Sequence, residues 1–145
     1  MSSSPHPSTP LRVALVGYGY AGKLFHAALI DATPGLRLHV IGSNRTDAVL
    51  ADRPDAVVCA PEAAAVHPDV DLVVIAAPND CHAPLAEVAL RAGKHVVVDK
   101  PFTVTLAEAR HLAHVARQTG RLLSVFQNRR WDSDFLAVQA VLASG

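Results

Sequence analysis

Three glycines spaced G-x-G-x-x-G, Gly17, Gly19 and Gly22, follow the mostly apolar run Leu11 to Val16 and precede helix-forming residues from Ala21 onward. A strand, a glycine turn and a helix in that order make a dinucleotide phosphate site. The first glycine turns the chain, the second lets the backbone approach a pyrophosphate, and the third lets the helix pack on the strand. The free N–H groups and positive end of the helix then face the phosphates. Tyr18, Tyr20 and Ala21 belong to the same loop and are expected to border the cofactor. The bland alternative is a glycine-rich turn that binds nothing.

The end of the second apolar run bears on which nicotinamide cofactor fits. NAD binders place a carboxylate there to accept the ribose hydroxyls, and that carboxylate repels a 2′-phosphate. This chain carries Ser43-Asn44-Arg45 instead. Ser43 and Asn44 are neutral, and Arg45 can make a charge-assisted contact with a phosphate. The pattern favours NADP and leaves NAD open; the competing reading is a solvated arginine near a helix start. Asp47, the nearby carboxylate, suits the first turn of the following helix, where the dipole favours it.

Asp99-Lys100-Pro101 follows the run Lys94-His-Val-Val-Val98. In a parallel sheet it lies on the same edge as the glycine turn. A lysine there is aimed at the crevice where a nicotinamide ring would lie. Its ammonium can hydrogen-bond a substrate oxygen and assist proton movement during hydride transfer. Pro101 fixes the backbone beside it. Without that context Lys100 is an ordinary surface lysine.

His82, after Asn79 and Asp80, stands at another crevice-edge helix start, where a capping or packed histidine is the commoner outcome. Glu108, His111 and His114 are spaced three apart and superficially resemble a metal site. The apolar stripe Leu106, Ala109, Leu112, Ala113 and Ala116 leaves them on a solvated face, so no metal is expected. Cys59 and Cys81 form no C-x-x-C motif and read as small buried residues. No serine lies in a nucleophile elbow, so acyl transfer finds no support.

The elements that must position these groups alternate between strand and helix. Strands are expected at Leu11 to Val16, Leu36 to Gly42, Ala56 to Cys59, Asp71 to Ala77, Lys94 to Val98 and Arg121 to Phe126. Helices are expected over Ala21 to Ala32, Thr46 to Ala51, a short piece opened by Pro61, Asn79 or Asp80 to Ala92, Thr105 to Thr119, and Asp132 or Ser133 to Leu142. Thr105 and Glu108 have capping-box spacing, and Gly93 and Gly120 are placed as helix stops. Asn79 or Asp80, and Asp132 or Ser133, are the expected caps of their helices. The fold class is therefore α/β, a doubly wound Rossmann sheet of mostly parallel strands in the order 3-2-1-4-5-6.

Half of the 145 residues are apolar, and thirteen basic residues balance thirteen acidic ones. A chain of this size and balance reads as one globular domain with no reason to expect a nucleic-acid or anionic-membrane partner. Residues 1–10 read as a flexible lead without the apolar core of a secretory signal. No apolar run approaches a membrane span, and a cytoplasmic location is expected.

The glycine loop, Ala76-Ala77-Pro78-Asn79-Asp80-Cys81-His82, Ala92-Gly-Lys-His-Val-Val-Val-Asp-Lys-Pro101 and Asn128-Arg129-Arg130-Trp131-Asp132 together resemble the Gfo/Idh/MocA oxidoreductases, in particular the NADP-dependent scyllo-inositol dehydrogenase branch. The resemblance runs from Leu11 to the end. It implies that Lys100 is the catalytic lysine of the family's E-K-P motif, with Asp99 in place of the usual glutamate and a cis bond before Pro101. Asp99 is one methylene shorter, which puts its contact to the nicotinamide ribose in doubt. Ala77, Pro78, Asn79 and His82 would line the nicotinamide side, with Arg129 and Trp131 near the cofactor or an interdomain seam.

Family members continue into a second domain that supplies the substrate pocket and the oligomer interface. The expected organisation here is a lead over 1–10, the NAD(P)-binding domain over 11–130, and the start of a linker helix over 131–145, with the substrate domain absent. The implied reaction is hydride transfer to or from a secondary alcohol or ketone of a polyol or sugar, in a full-length form expected to be a homo-oligomer. This fragment alone is expected to be inactive. The alternative is a non-catalytic NAD(P)-binding sensor or partner subunit, which would have no need of Lys100. If a second domain normally covers the last helix, Phe135, Leu136, Val138 and Leu142 form an apolar patch that invites association.

Overall fold

A computed structural model describes residues 9–145, so most of the lead expected over 1–10 lies outside the described residues. Six strands form one sheet: β1 (Leu11–Val16), β2 (Leu36–Gly42), β3 (Val57–Cys59), β4 (Leu72–Ile75), β5 (His95–Asp99) and β6 (Leu123–Phe126). Their order is β3-β2-β1-β4-β5-β6 and every pairing is parallel. This is the expected doubly wound Rossmann sheet, with its topological switch between β1 and β4.

Helices cover both faces because the strands are apolar on both. Ala14, Val16, Val73, Ile75, Val96 and Val98 bury one face against α3 (Pro61–Ala65), α4 (Asn79–Arg91) and α5 (Leu106–Thr119). Val13, Leu15 and Val74 bury the other against Ala27 and Ile30 of the first helix. Alternate residues of β1 thus face opposite layers, as the two-residue strand period requires. A short α2 (Thr46–Asp52) and a terminal α6 (Ser133–Ser144) complete the chain.

The first helix departs from the expected straight run. It is π-helical over Gly22–Ala27 and becomes α1 only at Ala28–Ala32. Its inward residues are Gly22, His26, Ala27 and Ile30, while Leu24 and Leu29 are about half exposed. Leu106 of the stripe expected on α5 is likewise exposed, and Leu112, Val115 and Ala116 are the buried residues there.

Two expected caps are absent. Pro78 occupies the position before α4, and neither Asn79 nor Asp80 caps it, since both lie inside the first turn. Asp132 precedes α6, but its carboxylate takes Arg129 Nη1 at 2.7 Å instead of the helix N–H groups. The Thr105–Glu108 capping box forms in both directions, at 3.2 and 2.8 Å, and Gly120 ends α5 with φ +65°.

Candidate cofactor and catalytic site

Parallel register brings the candidate residues to one edge. Val16 pairs with Gly42 and Ile75, and Ile75 pairs with Val98, so Gly17, Ser43, Ala76 and Asp99 all emerge from adjacent strand ends. The pairing extends one step further through Gly17 N–H to Gly42 O at 2.9 Å and Ala76 N–H to Val16 O at 2.7 Å.

Each glycine of the loop has a separate geometric reason. Gly17 has φ +95°, and a Cβ there would lie 2.5 Å from Ala76 O. A Cβ on Gly22 would lie 2.0 Å from Gly17 O, so the helix can approach β1 only without one. A Cβ on Gly19 would meet nothing within 4 Å. Protein packing therefore does not demand glycine at position 19, and the backbone there stands open. That open backbone, at the start of a helix whose first N–H groups lack intrahelical partners, fits a pyrophosphate.

A cavity of about 390 Å³ runs along this edge and is lined by Gly17, Tyr18 and Gly19, by Ser43, Asn44 and Arg45, and by Ala77 and Pro78. Eight of the expected cofactor residues are thus together. The Ser43 hydroxyl accepts the Arg45 N–H at 3.1 Å, which shapes the loop without a carboxylate. Gly42 also matters here: a Cβ on it would lie 2.8 Å from Ala64 Cβ, so its absence lets α3 close up beneath the loop.

Tyr20, Asn79, Arg129 and Trp131 do not line this cavity. Tyr20 is 74% exposed and meets Phe25 edge-on at 5.9 Å. The Tyr18 hydroxyl accepts Arg53 Nε at 3.1 Å, so that ring anchors the loop from behind. Asn79 is exposed on the first turn of α4. Arg129 and Trp131 lie in a 3₁₀ turn (Asn128–Trp131) with Trp131 79% exposed, and neither lines the glycine cavity.

Lys100 is exposed at the end of β5, and the bond to Pro101 is cis, as the resemblance implies. Its corner is fastened from below. Asp99 is buried; its Oδ1 accepts the Lys100 N–H at 2.7 Å, and its Oδ2 lies 3.3 Å from His26 Nε2. His26 is 4% exposed, has no aligned hydrogen-bond partner at Nε2, and packs on Phe126 at 4.7 Å between ring centroids. His82 is 1% exposed, with Nδ1 2.8 Å from Pro101 O and Nε2 2.9 Å from Ala77 O. The polar atoms of both residues thus have neighbours within the protein: the Lys100 N–H and the His26 ring for Asp99, and the Pro101 and Ala77 carbonyls for His82.

The sequence reading does not single out His26, although Gly22, His26 and Ile30 at i, i+4 and i+8 mark it as a polar residue on an inward face. The helical triplet resolves as the solvated face expected: Glu108 serves the capping box and His111 Nε2 lies 3.0 Å from Glu87. That imidazole and Arg91 hold the Glu87 carboxyl below its ordinary range. Cys59 and Cys81 are half-buried, not fully buried as expected, and desolvation pushes both thiols up, away from nucleophilic behaviour. His39, His67 and Asp69 bring ligand-type atoms within 4.8 Å of one another, but His67 Nδ1 already accepts the Asp69 N–H at 3.2 Å.

A glycine turn at the carboxyl edge of a doubly wound sheet, open at Gly19 and flanked by a lysine corner, defines an NAD(P)-binding α/β domain. The chain belongs to the Gfo/Idh/MocA oxidoreductase family: residues 11–127 match the family model described as oxidoreductase family, NAD-binding Rossmann fold. It is 58% identical over 139 residues to the uncharacterized oxidoreductase YdgJ of Escherichia coli (strain K12), across 95% of this chain and 40% of that protein. It is 38% identical over 136 residues to scyllo-inositol 2-dehydrogenase (NADP(+)) IolW of Bacillus subtilis (strain 168), across 93% and 38%. Among solved structures, biliverdin reductase from Synechocystis sp. PCC 6803, in complex with biliverdin and NADP+, is similar with a TM-score of 0.84 and 33% identity, across 93% of this chain and 43% of that one. The chain spans about two fifths of the length of these relatives. Among the described residues no helix is long and apolar enough to cross a membrane.

Proposed function

We propose that this chain is the cofactor-binding part of a dehydrogenase that moves a hydride between NADP and a secondary alcohol or ketone carbon of a sugar or cyclitol. The observation that carries the reading is the shared edge: the glycine turn and Lys100 leave β1 and β5, parallel strands with only β4 between them, in the same direction. A binder without chemistry has no use for a lysine held at that corner. The IolW name supports the cyclitol class and the phosphorylated cofactor.

Gly17 to Gly22 hold the diphosphate, Ser43, Asn44 and Arg45 receive the adenosine ribose with its 2′-phosphate, and Ala77, Pro78 and Asn79 border the nicotinamide. The bound cofactor would accept the hydride as NADP+ when the alcohol is oxidised and donate it as NADPH when the ketone is reduced. Lys100 Nζ hydrogen-bonds the substrate oxygen, polarising a carbonyl in reduction and easing loss of the hydroxyl proton in oxidation. Asp99 and His82 keep that lysine's backbone in place. Arg129 and Trp131 face the seam toward a substrate domain of the whole enzyme.

Calorimetric titration tests the reading with the chain as it stands. NADP is expected to bind more tightly than NAD. Arg45→Ala removes a charge-assisted contact of about 1.5–3 kcal/mol, roughly 10- to 100-fold in NADP affinity, and leaves NAD little changed. Equal losses for both nucleotides would remove the Arg45 assignment, and no heat with either nucleotide overturns the function.

A further inference from the structure

Lys23 and Asp52 are absent from every role assigned above, yet both line the side of the site where Arg45 stands. Lys23 follows Gly22 in the first turn of the π-helical segment, and Asp52 is the last residue of α2. They form an ion pair between the two helices. A cavity of about 400 Å³ holds this pair together with Gly19, Ser43 and Arg45. It shares Gly19, Ser43 and Arg45 with the cavity along the glycine edge, so the two adjoin.

The charges in this pocket decide what it accepts. Arg45 and Lys23 contribute two positive charges and Asp52 one negative. Asp47 does not line the pocket, and Arg53, next in sequence to Asp52, is engaged by Asp31 and the Tyr18 hydroxyl. With Lys23 in place the pocket carries a net positive charge, and the Asp52 carboxylate is matched. Without Lys23, Arg45 would face an unmatched carboxylate across the pocket. A carboxylate in that region favours bare ribose hydroxyls and repels a 2′-phosphate.

We propose that Lys23 is a cofactor-specificity residue, which admits the 2′-phosphate by neutralising Asp52 beside Arg45. This rests on the NADP reading of Arg45 given above. The pair is not needed for folding: its side chains are 46% and 36% exposed, and ion pairs of that exposure contribute little to stability. Variants at either position therefore keep the fold, and a thermal melt verifies it before binding is measured.

The experiment is calorimetric titration of NADP and of NAD into the chain and its Lys23→Ala, Asp52→Asn, Lys23→Ala/Asp52→Asn and Arg45→Ala variants. Lys23→Ala is expected to weaken NADP by about 3- to 10-fold, the scale of one partly screened charge several ångströms from a phosphate. NAD should be unaffected. Adding Asp52→Asn should restore most of the lost NADP affinity, because the unmatched carboxylate is gone. Unchanged NADP affinity in Lys23→Ala, beside a selective loss in Arg45→Ala, overturns the inference and leaves the cofactor reading standing. A loss in Lys23→Ala that Asp52→Asn does not relieve also overturns it, by making Lys23 a direct ligand. If Arg45→Ala weakens both nucleotides equally, the reading underneath fails instead.

Discussion

His82 has two ring nitrogens, and both meet carbonyl oxygens, which only accept. A singly protonated ring donates to one of them and only a doubly protonated ring to both. Either way the side chain ties Ala77, at the end of β4, to Pro101, beside Lys100. Its removal leaves a void and two part-buried carbonyls without this partner, so His82→Ala is expected to cost about 2–4 kcal/mol of stability in urea unfolding. His82→Gln retains one donor group and is expected to cost roughly half as much. Equal costs for the two variants would mean that packing, not hydrogen bonding, is the whole contribution. Lys100 was legible in the sequence because its place follows from strand order alone. The supports were not: His82 reaches partners five and nineteen residues away, and Asp99 meets a histidine on another helix. A residue's type states what it can bond to, and only the fold states what stands opposite.

At the scale of elements, the glycine loop was readable because strand, turn and helix are consecutive in the chain. The structure divides its glycines into two kinds with opposite consequences. Gly22→Ala drives a methyl group onto the Gly17 carbonyl, so it is expected to cost about 3 kcal/mol and to broaden or abolish cooperative unfolding. Gly19→Ala meets open space and is expected to leave the unfolding midpoint unchanged while weakening both nucleotides. Melting curves and nucleotide titrations of the two variants separate the roles; a Gly19→Ala chain that binds normally would remove the pyrophosphate from that position. Gly42 escaped notice because its reason is Ala64, a neighbour from a different element. The same distinction explains the caps. Thr105 and Glu108 find each other within one turn, whereas Asp132 is taken by Arg129. The π-helical segment left no mark in the apolar spacing, since Gly22, His26 and Ile30 fit an ordinary helical stripe equally well.

For the whole molecule, the described core is complete without α6. No residue of Ser133–Ser144 is buried, and Phe135, Leu136, Val138, Val141 and Leu142 are between 43% and 77% exposed. A helix apolar around its circumference belongs against other apolar surface. The sequence showed this helix and its composition, but nothing in it states what covers the face. Two consequences follow for the chain as it stands. Deleting residues 133–145 removes no core packing, so stability is expected to change by less than roughly 1 kcal/mol, a shift of about 4 °C or less in the melting midpoint. Association should depend on the same surface: sedimentation is expected to show concentration-dependent dimers or larger species for the whole chain and monomers for the shortened one. A cooperative loss of structure on deletion would place α6 within the folding unit. A chain that stays monomeric at high concentration would show that its exposed apolar atoms are too dispersed to act as one patch.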